Sequence, residues 1–187
     1  YKYKSNSNLR VNYQGSTRQP TLDQLQPLRN NQDFFNQTLG NPDLKQSFTN
    51  SININQSSYD MLTERQIYQG IYFNTTTNAI IYSSVIDPES AKTISKPINT
   101  NGNFSGNFYF GYGLKIKKLD LRADFSPSFG YNKSAMSIND KIGSAENLNT
   151  GLSVYLSKSK QKQYDINLSN RFSYNRNSTT QNSEIKM

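Results

Sequence analysis

The chain has 187 residues, of which only 33% are hydrophobic, and its formal net charge is +8. It contains neither cysteine nor histidine, which excludes disulfide bonds, thiolate metal sites and histidine as a general base. Chemistry and metal binding by carboxylates alone remain open, but no cluster of carboxylates indicates either, and we expect no enzymatic activity, no bound metal and no cofactor. The 13 tyrosines and 10 phenylalanines argue against disorder and favour strands with one apolar and one polar face.

The positive charge makes nucleic acid a candidate partner. The basic residues are scattered, however, and their two small clusters, Lys115–Lys118 and Lys158–Lys162, fall where turns are predicted. We expect no nucleic-acid binding. No stretch approaches the roughly 20 apolar residues of a membrane helix, and Tyr1–Lys4 does not resemble a signal peptide. We therefore expect a mature protein or an internal segment of a longer one, and we favour the segment.

Apolar side chains recur at every second residue along most of the chain, which is the period of a β-strand with unlike faces. In chain order, the alternation starts at Leu9, Val11 and Tyr13, resumes at Phe48, Ile52 and Ile54, and continues over 65–86, 103–116, 119–132, 148–157 and 164–175. This pattern predicts about seven strands. Between the first two, Leu22, Leu25 and Leu28 recur at every third residue, which indicates one short helical turn in a loop.

The predicted connections alternate in length. Short turns cover 56–65, 115–118 and 158–163, whereas longer loops cover 18–46, 87–100 and 139–147. Transmembrane barrels show this asymmetry, with short periplasmic turns and longer extracellular loops. Segments 103–116 and 164–175 also reach the roughly 9–11 residues with which a strand crosses a bilayer. We predict an all-β fold, a fragment of an antiparallel transmembrane β-barrel.

Four segments near the N-terminus carry a more specific signal: Asn8–Tyr13, Arg18–Pro27, Gly40–Lys45 and Phe48–Ile54. They resemble the C-terminal barrel of TonB-dependent outer-membrane receptors, in which a Gly-Asn-Pro-x-Leu-Lys motif precedes a returning strand. Gln46 and Ser47 stand where that family usually has Pro and Glu. Gly111–Leu114 and Gly130–Asn132 are similar to the outer-membrane β-barrel branch of these receptors.

The resemblance implies a receptor that takes up a nutrient across the outer membrane of a Gram-negative bacterium. Residues 1–187 would form part of one barrel domain, contributing wall and extracellular loops, with 18–46 as a long extracellular loop. The implied partners are outer-membrane lipid, a separate plug domain, the remaining barrel strands and the TonB complex. A surface lipoprotein is a further candidate partner.

Three sets of residues are candidates for function. Those expected to face a water-filled lumen are Asp120, Arg122, Asp124, Asp165 and Arg171, for which simple solvation of the inner wall is the plainer role. Those in the longest loop, where ligand recognition often resides, are Arg29, Asp33, Phe34 and Phe35. The family loop motif comprises Gly40, Asn41, Pro42, Asp43, Leu44 and Lys45. We interpret this motif as a structural corner, because Gly40 permits a tight bend and Pro42 restricts the backbone.

Aromatic residues on the predicted strands are candidates for interfacial girdles or for ordinary strand packing: Tyr68, Tyr72, Phe73, Tyr82, Tyr112, Tyr131 and Tyr174. Two other classes of protein remain open. A secreted or surface β-sandwich, acting as an adhesin or a carbohydrate-binding module, would bury its apolar faces between two sheets. A porin-like outer-membrane barrel without TonB coupling would share the fold but not the energy source.

Overall fold

The computed structural model describes residues 6–27, 29–30, 33–160 and 162–181. Tyr1–Lys4, and Leu28 of the predicted helical turn, lie outside these residues. In chain order, the described residues form β1 (Ser7–Arg18), α1 (Leu22–Leu25), β2 (Arg29–Asn30), β3 (Asn36–Leu39), β4 (Ser47–Asp60), β5 (Arg65–Thr77), β6 (Ala79–Ile86), β7 (Thr93–Thr100), β8 (Asn103–Ile116), β9 (Leu121–Ile138), β10 (Lys141–Lys160) and β11 (Tyr164–Gln181). No helix in this part of the chain has the length and hydropathy needed to cross a membrane.

Seven long strands form the main sheet, in the order β1, β4, β5, β8, β9, β10 and β11. Each pairs antiparallel with the next, which confirms the predicted all-β architecture. Within the described residues, β1 and β11 are the outermost strands of this sheet. Three short connections, which join β4 to β5, β8 to β9 and β10 to β11, lie at one end of the sheet, called the short-turn end.

The opposite end carries the longer connections, which join β1 to β4 and β5 to β8, and also the short turn between β9 and β10. A four-stranded extension, the rim sheet, consists of β6, β7, β3 and β2 in that order. It joins the main sheet where β6 runs parallel to the end of β9, with Ser83 beside Ser137 and Ser84 beside Ile138. The buried hydroxyls of Ser83 and Ser137 are 2.7 Å apart, so a hydrogen bond fixes the rim sheet to the wall.

The alternation in the sequence produces two unlike faces, because directly paired residues of neighbouring strands point to the same side of a sheet. One cross-strand row runs through Val11, Ile54, Ile71, Phe108, Phe129, Thr150 and Tyr174. A row on the other side runs through Asn12, Asn53, Tyr72, Asn107, Gly130, Asn149 and Asn175. The first is called the apolar face and the second the polar face.

The apolar face has no second sheet packed on it in the described chain, because all the strands belong to one hydrogen-bonded sheet. Phe108 is 40% exposed and Phe125 is 45% exposed. The hydrophobic residues that are buried, Leu44 and Ala79, belong to the rim rather than to a core beneath the long strands. The β-sandwich alternative required a buried apolar face, and this arrangement does not provide one.

Three local features differ from the sequence-based expectation. The segment 65–86 is two strands, because Asn78 adopts a φ of 50° between them, a conformation that asparagine tolerates better than most residues. Most of the predicted loop 87–100 is strand β7. The predicted loop 139–147 is a two-residue hairpin turn, in which Asn139 and Asp140 have φ of 50° and 59°, as such turns require.

Candidate functional site

The polar face of the main sheet is the candidate functional surface. Its side chains are mostly asparagine, serine, threonine and glutamine, interrupted by glycines at Gly70, Gly111, Gly113, Gly130 and Gly151. Every one of these glycines has a neighbouring side chain in the space that a Cβ atom would occupy. The glycines therefore allow larger polar side chains of adjacent strands to lie against the wall.

Two tyrosines and two glycines form a reciprocal pair on β5 and β8. Tyr68 is directly opposite Gly111, and Gly70 is directly opposite Tyr109. The ring of each tyrosine occupies the place of the Cβ that the facing glycine lacks. The two ring centroids are 6.4 Å apart, so the pair covers a continuous patch of backbone.

Both tyrosine side chains extend over the strand that faces them, and each hydroxyl forms a hydrogen bond with a residue of the next strand. Tyr109 Oη donates a hydrogen bond to Asn55 Oδ1 on β4 at 2.6 Å. Tyr68 Oη and Ser126 Oγ on β9 are 2.9 Å apart. The rings are therefore directed along the sheet rather than away from it, and the polar face stays low although it carries large residues.

The charged residues predicted for this face divide into two groups. Arg122, Asp124, Asp165 and Arg171 pair with residues of the polar face, opposite Lys115, Gly113, Ser159 and Ser153 respectively. Asp120 instead lies in the turn before β9, where its carboxylate is 3.1 Å from Lys115 Nζ. Four of the five candidates therefore lie on the polar face.

One of these ion pairs is well defined. Arg122 Nε is 2.9 Å from Asp124 Oδ2, and Arg122 Nη2 donates to Asp124 Oδ1 at 3.2 Å. Arg122 Nη2 also donates to Gln66 Oε1 on β5 at 3.1 Å. Because these bonds link β9 to β5 across β8, they indicate a structural role for the pair.

The apolar face has the height of a bilayer core. On β9 the apolar stretch runs from Leu121 to Tyr131, which is about 33 Å at roughly 3.3 Å per residue. At the tilt of about 40° that is typical of transmembrane barrels, this length corresponds to about 25 Å along the membrane normal, the usual apolar band of such barrels. Toward the rim the face becomes charged at Lys133, whose Nζ is 2.9 Å from Glu146 Oε1.

The aromatic residues predicted to form girdles follow that prediction only in part. Phe73, Tyr112, Tyr131 and Tyr174 lie on the apolar face, since they pair with other members of its rows. Tyr68 and Tyr72 lie on the polar face. The sequence pattern did not predict a role for these two tyrosines on the polar face. For Tyr68, the glycines within the neighbouring predicted strand were the sequence feature that could have indicated its position.

The family loop motif forms a corner of the rim in which Gly40 and Leu44 are buried. A Cβ on Gly40 would overlap the backbone carbonyl of Gln26, so close approach rather than a special φ accounts for this glycine. Asn41 Nδ2 donates to Pro97 O on β7 at 2.9 Å, and Asn41 N donates to Gln24 O on α1 at 2.6 Å. These contacts agree with the interpretation of the motif as a structural corner.

A second clasp joins the end of the motif to the rim sheet. Lys45 N donates to Asn99 Oδ1 at 2.7 Å, and Asn99 Nδ2 donates back to Lys45 O at 2.9 Å. The same amide group of Asn99 donates to Asn78 O at 2.8 Å. One side chain on β7 therefore holds both the re-entry into β4 and the turn between β5 and β6.

Of the loop candidates, Arg29 lies on β2 of the rim sheet, and Asp33, Phe34 and Phe35 lie between β2 and β3. Asp33 accepts hydrogen bonds from the Asn36 side chain and from the amides of Phe35 and Asn36, and these bonds, led by that from Asn36 Nδ2, lower the pKa of Asp33. Phe34 and Phe35 are 63% and 56% exposed. Lys92 Nζ lies 4.0 Å from the centroid of the Phe34 ring. The side chain of Arg29 lies outside the described residues.

The described side chains contain no group of three or more acidic residues placed to hold a metal ion. The candidate residues on the polar face and those in the loop are on different parts of the molecule, since the former belong to the long strands and the latter to the rim. The structure thus offers an extended polar wall and an aromatic rim loop rather than one compact pocket.

Comparison with known families assigns this architecture. The family model described as "Outer membrane protein beta-barrel family" matches residues 1–187. The chain belongs to this outer-membrane β-barrel family. No curated protein and no solved structure matches it. Membership places the chain in an outer membrane, where a barrel keeps its apolar side in lipid and its polar side inward.

Proposed function

We propose that the chain supplies part of the wall and the extracellular loops of a TonB-dependent receptor that takes up a nutrient across the outer membrane of a Gram-negative bacterium. The observation that carries this proposal is the low, asparagine-rich polar face of the seven long strands, opposite an exposed apolar face. The long connections and the rim sheet are then extracellular, and the short-turn end is periplasmic.

The reciprocal tyrosine–glycine pair supports a wide lumen. Barrels of about eight strands fill their interior with their own side chains, whereas the largest outer-membrane transporters enclose a lumen occupied by a plug. Tyr68 and Tyr109 lie across neighbouring strands instead of projecting inward. A wall of this kind leaves room for a separate domain, and its amides and hydroxyls offer hydrogen bonds to that domain.

The partners follow from this arrangement. Outer-membrane lipid would cover the apolar face, and further strands would continue the wall beyond β1 and β11, because a membrane-spanning sheet needs its edges paired. A plug domain would occupy the lumen, and the TonB complex would act on that plug from the periplasm. The exposed pair of Phe34 and Phe35 is the surface most suited to a lipoprotein or ligand at the cell surface.

The orientation of the two faces can be tested by cysteine labelling, because this chain has no cysteine of its own. In the full-length protein in intact outer membranes, from which any native cysteines elsewhere have been removed, we expect a water-soluble maleimide to label Asn107→Cys. The adjacent variant Phe108→Cys should stay unlabelled by the same reagent, because lipid covers it. Labelling of both positions at equal rates would contradict the assignment.

The energy source separates a receptor from the porin-like alternative. A plugged receptor should give no stable conductance in a planar bilayer, and its uptake should stop when TonB is deleted or the proton gradient is collapsed. A porin should conduct at once and work without TonB. Steady open-channel conductance by the full-length protein, together with TonB-independent uptake, would overturn the proposed function in favour of the porin.

A further inference from the structure

Five lysines lie at the short-turn end of the sheet, around the two turns that flank β9 and β10. Lys117 and Lys118 belong to the turn between β8 and β9, and Lys158, Lys160 and Lys162 lie at or beside the turn between β10 and β11. They are called the turn lysines. Because β9 and β10 are paired strands, the two turns are neighbours at the short-turn end.

The nearby carboxylates have other partners. Lys115 Nζ is 3.1 Å from Asp120 and 3.9 Å from Glu64. Asp60 accepts hydrogen bonds from the amides of Leu62 and Thr63, and Asp165 accepts from Asn167 Nδ2.

Among the described residues, none of the turn lysines lies within ion-pair distance of a carboxylate. Asp60, Glu64, Asp120 and Asp165 lie at the same end and offset part of this positive charge, but none of them forms an ion pair with a turn lysine in the part of the chain that the structure describes.

Two of these lysines continue the apolar face. Lys158 pairs with Ile166 and Lys160 pairs with Tyr164, and paired residues share a side of the sheet. The face is apolar up to Leu156, which pairs with Leu168. The ammonium groups therefore stand where the lipid-facing band ends, the level at which lysine and tyrosine side chains reach the headgroups of a bilayer.

The short-turn end also exposes apolar side chains at the tips of its turns. Leu62 is 85% exposed, Met61 is 73% exposed and Leu119 is 57% exposed. Lys117 Nζ donates to Leu62 O at 3.3 Å, so the two turns that carry these residues are in contact. Basic residues around exposed apolar side chains are the combination by which protein surfaces bind anionic membranes.

We propose that the short-turn end of the sheet is a binding surface for anionic phospholipid headgroups of the adjoining leaflet. The phosphates would contact Lys158, Lys160 and Lys162, and the apolar turn tips would enter the interfacial region of the same leaflet. This inference rests on the outer-membrane placement of the chain but not on TonB coupling. The continuity of Lys158 and Lys160 with the lipid-facing band favours lipid over a soluble acidic protein.

The test uses the full-length protein in phosphatidylcholine bilayers with trace amounts of spin-labelled phosphatidylglycerol or spin-labelled phosphatidylcholine. Electron spin resonance measures the fraction of each probe that the protein immobilises. The variant K158Q/K160Q/K162Q is compared with K45Q/K96Q/K141Q, which removes the same charge at the opposite end of the sheet. Lys117 is left intact because it contacts Leu62.

We expect the unmodified protein to prefer the anionic probe, and the short-turn variant to lose that preference by roughly fivefold or more, given the contribution of each lysine near a charged membrane surface. The opposite-end variant should retain the preference. An equal loss in both variants, or none in either, would overturn the proposal. Thermal unfolding should be the same for both variants, which separates lost binding from lost folding.

Two further arms identify the ligand. At matched ionic strength, millimolar inorganic phosphate should leave the preference unchanged; if it abolishes the preference, the site takes free phosphate and the lipid assignment is wrong. Binding of a soluble acidic protein that is lost in the same variant, with no lipid preference, would also overturn it. Uptake measured in parallel distinguishes this outcome from failure of the proposed function, because receptor activity does not require the three lysines.

Discussion

Tyr109 and Gly70 face each other across β8 and β5, and the tyrosine ring fills the space above the glycine before its hydroxyl reaches Asn55. Tyr68 and Gly111 repeat the arrangement in the opposite direction one step along the ladder. In strands, glycine is destabilising because it has no side chain to pack. A ring from the facing strand supplies the missing cover and reduces that penalty.

Replacing Gly70 by valine should destabilise the protein by about 1–3 kcal/mol, the usual cost of inserting methyl groups into an occupied space. The valine would displace the Tyr109 ring and break its bond to Asn55. Unfolding in urea, followed by the heat-modifiable mobility of the full-length barrel, measures the change.

Gly106→Val is the matched control for that substitution. Gly106 lies on the apolar face, and the nearest atom to a Cβ placed there is Phe73 Cδ2 at 3.8 Å, an ordinary contact. We expect little loss of stability. If the two variants were equally unstable, the effect would belong to strand glycines in general and not to the tyrosine pair.

Replacing Gly40 by alanine should disturb the rim corner, because the new methyl group would overlap a backbone carbonyl that cannot rotate away. We expect a loss of about 1–3 kcal/mol and faster proteolysis within 19–46. Limited proteolysis on whole cells measures the cleavage rate. Asp43→Ala changes an exposed residue of the same motif and should leave the cleavage rate as it is.

A charge placed on the apolar face should impair insertion. Phe172 lies on that face opposite Leu152, and arginine near the bilayer midplane costs about 2–4 kcal/mol. We expect Phe172→Arg to lower the amount of assembled protein in the outer membrane and its unfolding free energy. Ser173→Arg, one residue further on the polar face, should assemble normally. Tolerance of arginine at position 172 would mean that this face is not in lipid.

Removing the Asn99 side chain should loosen the rim sheet. Asn99→Ala deletes the bonds to both backbone groups of Lys45 and to Asn78 O, and a hydrogen bond of this kind contributes about 0.5–1.5 kcal/mol to stability. Hydrogen exchange should accelerate over 41–46 and 77–80 but not within β9. Lys96→Ala, at an exposed position of the same strand, should exchange like the unmodified protein.

Sequence periodicity predicted the long strands because lipid and water impose it directly on every second residue. Phe108 and Asn107, for example, differ in polarity for that reason alone. The three turns at the short-turn end were predicted to within a few residues for the same reason, since the alternation stops where each strand ends. Physical constraint and sequence pattern coincide in these elements.

The rim was harder to predict because its structure depends on contacts between distant segments. Strand β7 contains Pro97, which removes a ladder hydrogen bond, and it is held through Asn41 and Asn99 rather than by hydrophobic alternation. The turn at Asn139 and Asp140 was predicted as part of a loop over 139–147 because residues 141–147 show no sustained apolar alternation. The Tyr109–Gly70 pair was not predicted, since only the strand register brings the two residues together.

The main sheet also restricts how a complete wall can be built from it. Six successive antiparallel pairings separate β1 from β11, so these two strands ascend in the same sense. Joining them to each other would create a parallel seam, which bacterial outer-membrane barrels, with their even numbers of antiparallel strands, do not have. A bacterial barrel that contains these seven strands therefore needs an odd number of additional strands, so that the total is even.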